Sequence, residues 1–312
     1  MSTVLCTLFE GDYHLGAAAL VNSLLAAGFS GEVAAGFRGP PPPWMQGALR
    51  REWPSAAGTL AVRLVPLDTP RHLTNFKPDF LLERLREGAS TLWYLDPDIV
   101  VTARWSFFDE WAAAGVALCE DVTSPLPASH PRRAGWRRHF GGRGFSLHFR
   151  EPAYVNGGCV GLRAEHAAFL EIWRDLQLAM ADAIGGLDQS KLGGGTSDQM
   201  RDPLFCFNAS DQDALNAAIE AAPATLPFSI LGAEAMGFRP GATVLPHALG
   251  TPKPWRKRFL REALQGRPPT LADKAFWQFA TGPVALLPAA LVNRRRRALR
   301  LASFLGRFYR RS

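Results

Sequence analysis

The sequence lacks the features of disulfide-rich secreted proteins and of membrane-spanning proteins. Its four cysteines are widely spaced and form no C-x-x-C pair, which argues against a disulfide framework and a cysteine-based zinc site. No run of about 18 apolar residues occurs, and the N-terminus has neither the basic segment nor the apolar run of a signal peptide. These absences predict a protein of the reducing cytoplasm that does not span a membrane.

The composition is that of a folded globular protein. Of the 312 residues, 47% are hydrophobic and 20% are charged, which excludes a disordered chain. This length is near the usual limit for one hydrophobic core. We expect a single α/β domain over residues 1–265 and a helical, basic tail over residues 266–312.

The formal net charge of +7 originates in the tail. Residues 294–312 contain eight arginines and no acids, and subtracting these eight charges from +7 leaves −1 for residues 1–293. Apolar residues recur among the arginines at helical spacing, namely Leu301, Phe304, Leu305 and Phe308. The pattern predicts an amphipathic helix on an anionic membrane surface, at the inner face of the cell membrane. Binding of nucleic acid is the less favoured alternative.

Apolar segments alternate between strand-like and helix-like patterns. The predicted strands are residues 4–9, 31–37, 61–65, 91–95, 115–119 and 154–162, and the predicted helices are residues 15–27, 78–87 and 163–184. This alternation predicts a mostly parallel sheet covered by helices, with binding sites beyond the carboxyl ends of its strands. The arginine-, histidine-, glycine- and proline-rich residues 123–150 are predicted to form a long surface loop.

Two acids follow the predicted strand at residues 91–95. Asp96 and Asp98 are two positions apart, so in an extended chain their carboxylates point the same way. Paired carboxylates suit a hard divalent ion such as Mg²⁺ or Mn²⁺, whose remaining ligands are often phosphate oxygens. A polar turn between strands is the alternative, but the position at the end of a strand favours a metal site.

A second motif with useful chemistry begins at His247. The histidine can supply a nitrogen ligand, Gly250 lets the backbone approach a phosphate, and Lys253 supplies a point charge for a leaving diphosphate. A single histidine is more often structural, so the inference depends on the two acids upstream.

Together these motifs resemble glycosyltransferase family 8. The two most specific matches are Tyr-Leu-Asp-Pro-Asp at residues 94–98 and His-x-x-Gly-x-x-Lys-Pro-Trp at residues 247–255. Weaker matches occur in the same order at residues 7–13, 22–24, 75–77, 156–158 and 211–216. The family includes lipooligosaccharide galactosyltransferases and glycogenin. The resemblance implies a GT-A fold, an α/β fold with a Rossmann-like mixed sheet flanked by helices.

The resemblance also implies a donor site. Asp96, Asp98 and His247 would hold Mn²⁺, or Mg²⁺, between the two phosphates of a UDP-sugar. Gly250 and Lys253 would bind the diphosphate. Tyr13 would stack on the base, near Thr7 and Asp12, and Lys77 would approach the phosphates or the sugar.

The resemblance further assigns an acceptor-side strand and, at the start of a helix, the candidate catalytic residues Asp211 and Gln212. The strand residues are Asn156, Gly157 and Gly158. Asp211 would bind sugar hydroxyls, Gln212 would lie near the anomeric carbon, and Asp213 would belong to the same substrate site. The predicted loop contains six basic residues that would suit an anionic acceptor, namely His130, Arg132, Arg133, Arg137, Arg138 and His139. A loop that is merely solvated is equally compatible with this composition.

The implied function is the transfer of a hexose from a UDP-sugar to a glycan or lipid-linked acceptor. Family members retain the anomeric configuration, and the product would be a cell-surface polysaccharide or lipopolysaccharide. An inverting enzyme would need a general base, for which Glu120 and Asp121 are the candidates. Two competing functions are a sugar-nucleotide nucleotidyltransferase, whose usual glycine- and arginine-containing turn is missing from residues 3–16, and a non-catalytic membrane-bound scaffold.

Overall fold

The structure is a computed structural model, and it describes residues 2–189 and 205–308. The chain divides into two compact units. Among the described residues, unit 1 comprises residues 2–8, 67–95, 108–189 and 205–233, and unit 2 comprises residues 9–66, 96–107 and 234–308. The domain boundary at residue 265 stays a prediction.

The described residues form one eight-stranded mixed sheet. Its strands are β1 (Thr3–Glu10), β2 (Gly31–Arg38), β3 (Arg50–Ser55), β4 (Gly58–Pro66), β5 (Thr91–Leu95), β6 (Val116–Glu120), β7 (Val155–Arg163) and β8 (Phe228–Leu231). Their spatial order is β3-β4-β2-β1-β5-β7-β6-β8. The pairs β1–β5, β2–β4 and β6–β8 are parallel. The pairs β3–β4, β5–β7 and β6–β7 are antiparallel, so the sheet is mixed, as the family resemblance implies.

Helices flank these strands in both units. They are α1 (His14–Ala27), α2 (Lys77–Arg86), α3 (Trp105–Ala113), α4 (Pro131–Gly141), α5 (Ala168–Ile184), α6 (Ser210–Ala221), α7 (Phe259–Leu264), α8 (Leu271–Gln278) and α9 (Ala289–Leu305). The predicted helix over residues 163–184 begins instead with a 3-10 turn, Ala164–His166, before α5. No helix in the described part of the chain is long and apolar enough to cross a membrane.

Unit 1 has an aromatic core on β5. The fully buried Trp93 ring lies 5.4 Å from Phe108 and 5.3 Å from Trp111 of α3, measured between ring centroids. Burying a side chain of this size stabilises a fold by roughly 2–3 kcal/mol. On α5, the Trp173 indole donates to the Asp211 carbonyl at 3.2 Å and so fixes the start of α6.

In unit 2, one buried amide joins α1 to a segment near the end of the chain. The Asn22 Nδ2 donates to the carbonyls of Phe279, at 3.0 Å, and Val284, at 2.9 Å. Its Oδ1 accepts from the Val284 amide at 3.0 Å. Asn22 is 3% exposed, so its hydrogen-bonding capacity is used inside the unit. Residues 279–284 are therefore part of the folded core.

The predicted loop at residues 123–150 is wrong over α4. The helix begins at Pro131, which suits a first turn, and it buries Trp136 and Phe140 at i and i+4. Its contacts are long-range, since the Trp136 indole donates to the Cys206 carbonyl at 2.7 Å. The glycine and arginine content of this segment predicted a loop, but packing against distant residues stabilises a helix there.

Candidate active site

The chain folds so that Asp98 and His247 become backbone neighbours in unit 2. Asp96 directly follows β5, and the Ile99 amide closes a tight turn by donating to the Asp96 carbonyl at 3.0 Å. Ile99 then forms an antiparallel bridge with His247, and the Ala248 amide donates to the Asp98 carbonyl at 3.1 Å. This short pairing brings residues nearly 150 positions apart to the same place.

Three side chains with metal-binding atoms meet at this turn. One ligand atom from each of Asp96, Asp98 and His247 lies within 4.8 Å of the others. Asp98 and His247 are 9% and 7% exposed, and among the described residues the buried His247 Nδ1 makes no hydrogen bond. Two carboxylates and an imidazole fit Mn²⁺ or Mg²⁺ better than a soft metal. These three residues could therefore hold a divalent ion.

Lys253 adds a positive charge to these three residues, and we call the four together the His247 cluster. The Lys253 Nζ donates to Asp98 Oδ2 at 2.5 Å and to the Ala248 carbonyl at 2.8 Å. His247 Nε2 lies 3.2 Å from Asp98 Oδ1. Burial alone would raise the pKa of Asp98, but the His247 imidazole and the Lys253 ammonium together lower it well below its ordinary value. Asp98 is therefore ionised at neutral pH.

Helix α1 packs directly on the acidic turn because it has a glycine there. A Cβ on Gly16 would lie 2.2 Å from the Pro97 carbonyl oxygen and 3.1 Å from the Trp255 ring. Any side chain would force the helix or the turn to move. Gly250, in contrast, has a left-handed φ of +72° and open space around its Cβ position, which suits close approach of a ligand to the backbone.

The turn after β1 is held by Trp255 and Arg256, to which the sequence analysis gave no individual role. Asp12 Oδ2 accepts from the Trp255 indole at 2.8 Å and from the Arg256 guanidinium. The Tyr13 ring lies edge-on to Trp255 at 5.4 Å, with Lys253 Nζ 5.7 Å from its centroid. Tyr13 thus lies close to Lys253, and Asp12 contacts the nearby Trp255 and Arg256. Trp255, the tryptophan of the Lys-Pro-Trp motif, makes these contacts, so the motif indicated this part of the site.

A second group of polar side chains is buried in unit 1. Lys77, only 2% exposed, donates from Nζ to the Gly157 carbonyl at 2.9 Å and forms an ion pair with Asp211 Oδ2 at 3.3 Å. The same ammonium lies 4.9 Å from the centroid of the Tyr94 ring. Lys77 was predicted to approach phosphates or sugar, and here it holds Asp211 in place. The name Lys77 cluster covers Lys77, Tyr154, Asn156, Gly157, Asp211, Gln212 and Asp213.

Hydrogen bonds to β7 orient the next two predicted residues. Gln212 Oε1 accepts from the Gly157 amide at 3.0 Å, and Asn156 Oδ1 accepts from the Gly158 amide at 2.9 Å. The Asn156 Nδ2 donates to Asp121 Oδ2 at 2.7 Å. Asp121 also accepts at Oδ1 from Thr123, which gives this carboxylate a structural role in the turn after β6.

Asp213 is the most unusual acid in the described structure. It is fully buried, accepts from the Tyr154 hydroxyl and from the Ala209 amide at 2.8 Å each, and lies 3.6 Å from an Arg132 nitrogen. Burial raises the pKa of Asp213 to about 7, against the opposing effect of Arg132. Burial and Asp213 also raise the pKa of Tyr154 well above its ordinary value. The sequence pointed to Asp213, and to Arg132 only as one of six basic residues in the predicted loop, but not to Tyr154.

Thr7, predicted to lie near the base, belongs to β1. It is 1% exposed, and its buried hydroxyl makes no hydrogen bond to the described residues. Its proposed nucleotide contact stays a prediction.

Comparison with known proteins identifies the fold of the chain from solved structures and finds no match by sequence. No family model and no curated protein sequence matches the chain. Its structure is similar to the glycosyltransferase GlyE of Streptococcus pneumoniae TIGR4, with a TM-score of 0.51 and 11% identity over 95% of this chain and 64% of GlyE. The galactosyltransferase LgtC, solved with donor and acceptor sugar analogues, matches with a TM-score of 0.51 and 13% identity over 93% of this chain and 99% of LgtC. The chain thus has the GT-A fold of these glycosyltransferases, as predicted from the family 8 resemblance.

Proposed function

We propose that the protein is a metal-dependent glycosyltransferase that transfers a hexose from a UDP-sugar to a glycan or lipid-linked acceptor. The observation that carries the proposal is the His247 cluster, in which the ligand atoms of Asp96, Asp98 and His247 meet beside the Lys253 ammonium. This arrangement suits a nucleoside diphosphate leaving group, because both a divalent ion and a lysine stabilise phosphate charge.

In the proposed reaction Asp96, Asp98 and His247 hold the divalent ion, which supplies positive charge to the diphosphate oxygens when it is bound. Lys253 contributes a second, fixed charge. Burial acts to lower its pKa, but the adjacent Asp98 raises it above the ordinary value, so the ammonium stays protonated. Its charge is in place before the sugar–phosphate bond breaks, and no side chain has to protonate the leaving group.

In unit 1, Asp211 and Gln212 are proposed to bind the transferred sugar. Lys77 forms an ion pair with Asp211 and orients it, so that the Asp211 side chain can accept hydrogen bonds from sugar hydroxyls. Gln212 is held by Gly157 and is proposed to lie near the anomeric carbon. We propose transfer with retention, with the departing phosphate oxygen accepting the acceptor's proton. Of the two candidate bases for an inverting mechanism, Asp121 has a structural role, which supports this choice as far as that residue is concerned.

A location at the cytoplasmic face of the cell membrane is proposed from the exposed surface of α9. This helix buries Val292 and Leu299 in unit 2 but exposes Leu301 and Phe304 by 58% and 54%. Phe308, in the 3-10 turn Gly306–Phe308 that follows, is 73% exposed. The arginines Arg294, Arg297, Arg300 and Arg307 are also exposed. An apolar surface among arginines suits anionic lipid, which fits synthesis of a cell-surface polysaccharide or lipopolysaccharide.

Not every arginine of the predicted basic helix is available to lipid. Arg295 donates to the Lys257 carbonyl at 2.7 Å, and Arg296 donates to the Trp277 carbonyl at 2.7 Å. These two side chains anchor α9 to unit 2. Arg310 and Arg311, part of the same prediction, lie outside the described residues.

The catalytic proposal is tested by replacing Asp98 with alanine. Wild-type protein with UDP and Mn²⁺ is expected to melt at a higher temperature than with UDP alone, because ligands that bind only the native state stabilise it. It should also release UDP slowly from UDP-glucose or UDP-galactose. Asp98→Ala should lose the Mn²⁺-dependent shift and at least about 99% of the turnover, a loss typical of removing a main electrostatic group.

The matched control is Asp68→Asn, which changes an exposed aspartate of unit 1 and should leave both measurements unchanged. Full activity in Asp98→Ala would contradict the metal assignment. Binding of UDP and Mn²⁺ without UDP release from any nucleotide sugar, with or without acceptors, would support a non-catalytic scaffold instead.

The membrane proposal is tested by sedimentation with lipid vesicles. The full chain should bind vesicles that contain phosphatidylglycerol more tightly than vesicles of phosphatidylcholine alone. The double variant Leu301→Ser/Phe304→Ser should reduce binding about tenfold or more, since it removes two exposed apolar side chains. Leu178→Ser, at an exposed leucine of α5, is the control. If Leu301→Ser/Phe304→Ser binds the vesicles as tightly as Leu178→Ser does, the lipid contact does not involve Leu301 and Phe304.

A further inference from the structure

The segment around α4 is unusually basic. Residues 122–150 contain six arginines and three histidines but no aspartate or glutamate. The positive potential affects neighbouring groups: burial lowers the pKa of His130, and the nearby Arg132 and Arg133 lower it further. The proposed donor chemistry at Lys253 does not use this charge.

Arg133 anchors this segment to the rest of unit 1. Its side chain is buried, forms an ion pair with Glu220, and donates to the carbonyls of Leu126, at 2.8 Å, and Ala153, at 2.9 Å. These bonds attach the N-terminal turn of α4 to the residues that lead into β7. The charges of α4 are therefore held at defined positions and are not spread over a solvated loop.

Arg132, the preceding residue, points to the Lys77 cluster. Its guanidinium carbon lies 5.4 Å from the centroid of the Tyr154 ring, and its Nη1 is 3.6 Å from Asp213 Oδ1, beyond hydrogen-bond distance. Within the described residues its guanidinium makes no hydrogen bond. The Arg132 side chain is 18% exposed, so it is not closed off from solvent.

The charge of Arg132 is poorly compensated. Its neighbouring acid, Asp213, has a pKa raised to about 7 by burial, so a large part of this acid is neutral at physiological pH. Arg138, two turns further along α4, is exposed and adds to the positive potential. A guanidinium with five donors, held over an aromatic ring, is suited to a phosphate or carboxylate group.

We propose that Arg132 binds an oxyanion, a phosphate or a carboxylate, on the acceptor, and so makes the enzyme select anionic acceptors. The inference rests on the proposed glycosyl transfer and names its acceptor class. Arg132 contacts Tyr154 and Asp213 of the Lys77 cluster, where the sugar is proposed to bind, whereas the donor diphosphate is assigned to Lys253. The transferred hexose carries no charge, so the oxyanion that Arg132 binds belongs to the acceptor.

The test compares three acceptors that differ at one group: methyl β-glucoside, its 6-phosphate and methyl β-glucuronide. Acceptor-stimulated UDP release should give a kcat/KM about tenfold to a hundredfold higher for the phosphate, the carboxylate or both than for the neutral sugar, the range for a charge-assisted hydrogen bond. Which anionic sugar is preferred identifies the group. Arg132→Gln should bring the ratio close to one, and Arg132→Lys should keep part of it because a point charge remains.

Arg86→Gln is the matched control, since Arg86 is an exposed arginine at the end of α2 in the same unit. It should keep the wild-type ratio. A ratio near one in the wild type, or an unchanged ratio in Arg132→Gln, would overturn the inference and leave the glycosyltransferase proposal standing.

A second measurement does not depend on turnover. Phenylglyoxal modifies arginine, and the rate at Arg132 can be followed by mass spectrometry of peptides. Methyl β-glucoside 6-phosphate or methyl β-glucuronide should slow this modification, and methyl β-glucoside should not. Protection without UDP release would retain the anion site and contradict the transfer reaction, whereas no protection together with no acceptor preference would overturn the site itself.

Discussion

Two buried aspartates in the two units have opposite protonation properties. Asp98 and Asp213 are 9% and 0% exposed, so burial disfavours the charged form of both. Asp98 has an imidazole and an ammonium in direct contact, and they lower its pKa well below the ordinary value. Asp213 has one guanidinium at 3.6 Å, and its pKa rises to about 7. Contact with cations, and not burial, decides which acid is ionised.

The difference corresponds to two kinds of chemistry. A carboxylate that stays ionised, as Asp98 does, can only accept hydrogen bonds or bind a cation. An acid that titrates near neutrality, as Asp213 does, can also donate a hydrogen bond to a substrate hydroxyl or exchange a proton. The proposed metal site and the proposed sugar site thus use the same residue type in different protonation states.

The largest effect is expected when Lys77 is replaced. Lys77→Met removes the buried cation that faces Asp211, and leaving a buried charge unpaired costs about 3–5 kcal/mol in the free energy of unfolding. Urea unfolding measures this loss. Lys274→Met, at an exposed position of α8, should change the free energy by less than about 0.5 kcal/mol. Equal effects of both changes would contradict a stabilising ion pair between Lys77 and Asp211.

An intermediate effect is expected from Asp213→Asn, and it should depend on pH. The folded-state pKa of Asp213 is raised above its ordinary value, so the folded protein holds this proton more tightly than the unfolded chain. Its stabilising contribution is complete below about pH 4 and is lost as the pH rises to about 7. Asparagine does not titrate, so the variant should gain stability relative to the wild type, by about 2 kcal/mol between pH 5 and pH 7.

Parallel urea titrations at pH 5 and pH 7 measure that difference, and Asp68→Asn serves as the exposed control. A stability difference that stays constant across this range would show that Asp213 is ionised throughout, like Asp98, and would remove the contrast between the two acids.

The smallest effect is expected for Lys253→Met in the absence of metal. His247 remains in contact with Asp98, so the loss should be on the order of 1 kcal/mol. Millimolar Mn²⁺ should reverse part of the loss, because the ion restores positive charge beside Asp98. The loss in Lys77→Met should not respond to Mn²⁺. Thermal unfolding of both variants with and without Mn²⁺ measures this, and recovery in Lys77→Met would contradict the separation of the two clusters.

Sequence patterns predicted the parts of the fold that local residues determine. The strands at residues 91–95 and 31–37 match β5 and β2 closely, and α1 ends directly before Gly28 as expected. In contrast, α4 contains Gly135 and depends on an ion pair between Arg133 and Glu220, which are 87 positions apart. Such a helix has weak local propensity, and no window of sequence contains the partner that fixes it.

The candidate site divides in the same way. Motif spacing identified Asp96, Asp98 and His247, whose ligand atoms the structure brings together. It named Arg132 only among six basic residues of a predicted loop and did not identify Tyr154, because the importance of both arises from contacts with Asp213 across the fold. Residue type indicates what a side chain can bind, whereas its protonation state depends on neighbours that only the structure supplies.

The amide of Asn22 has a consequence for anyone who shortens this protein. Deleting the C-terminal arginines is an obvious strategy to improve expression. A truncation that extends back past Phe279 would also remove the partners of three Asn22 hydrogen bonds. Truncation should therefore spare the stretch through Val284 and, to keep Leu299 and Ala302 packed, start beyond Ala302.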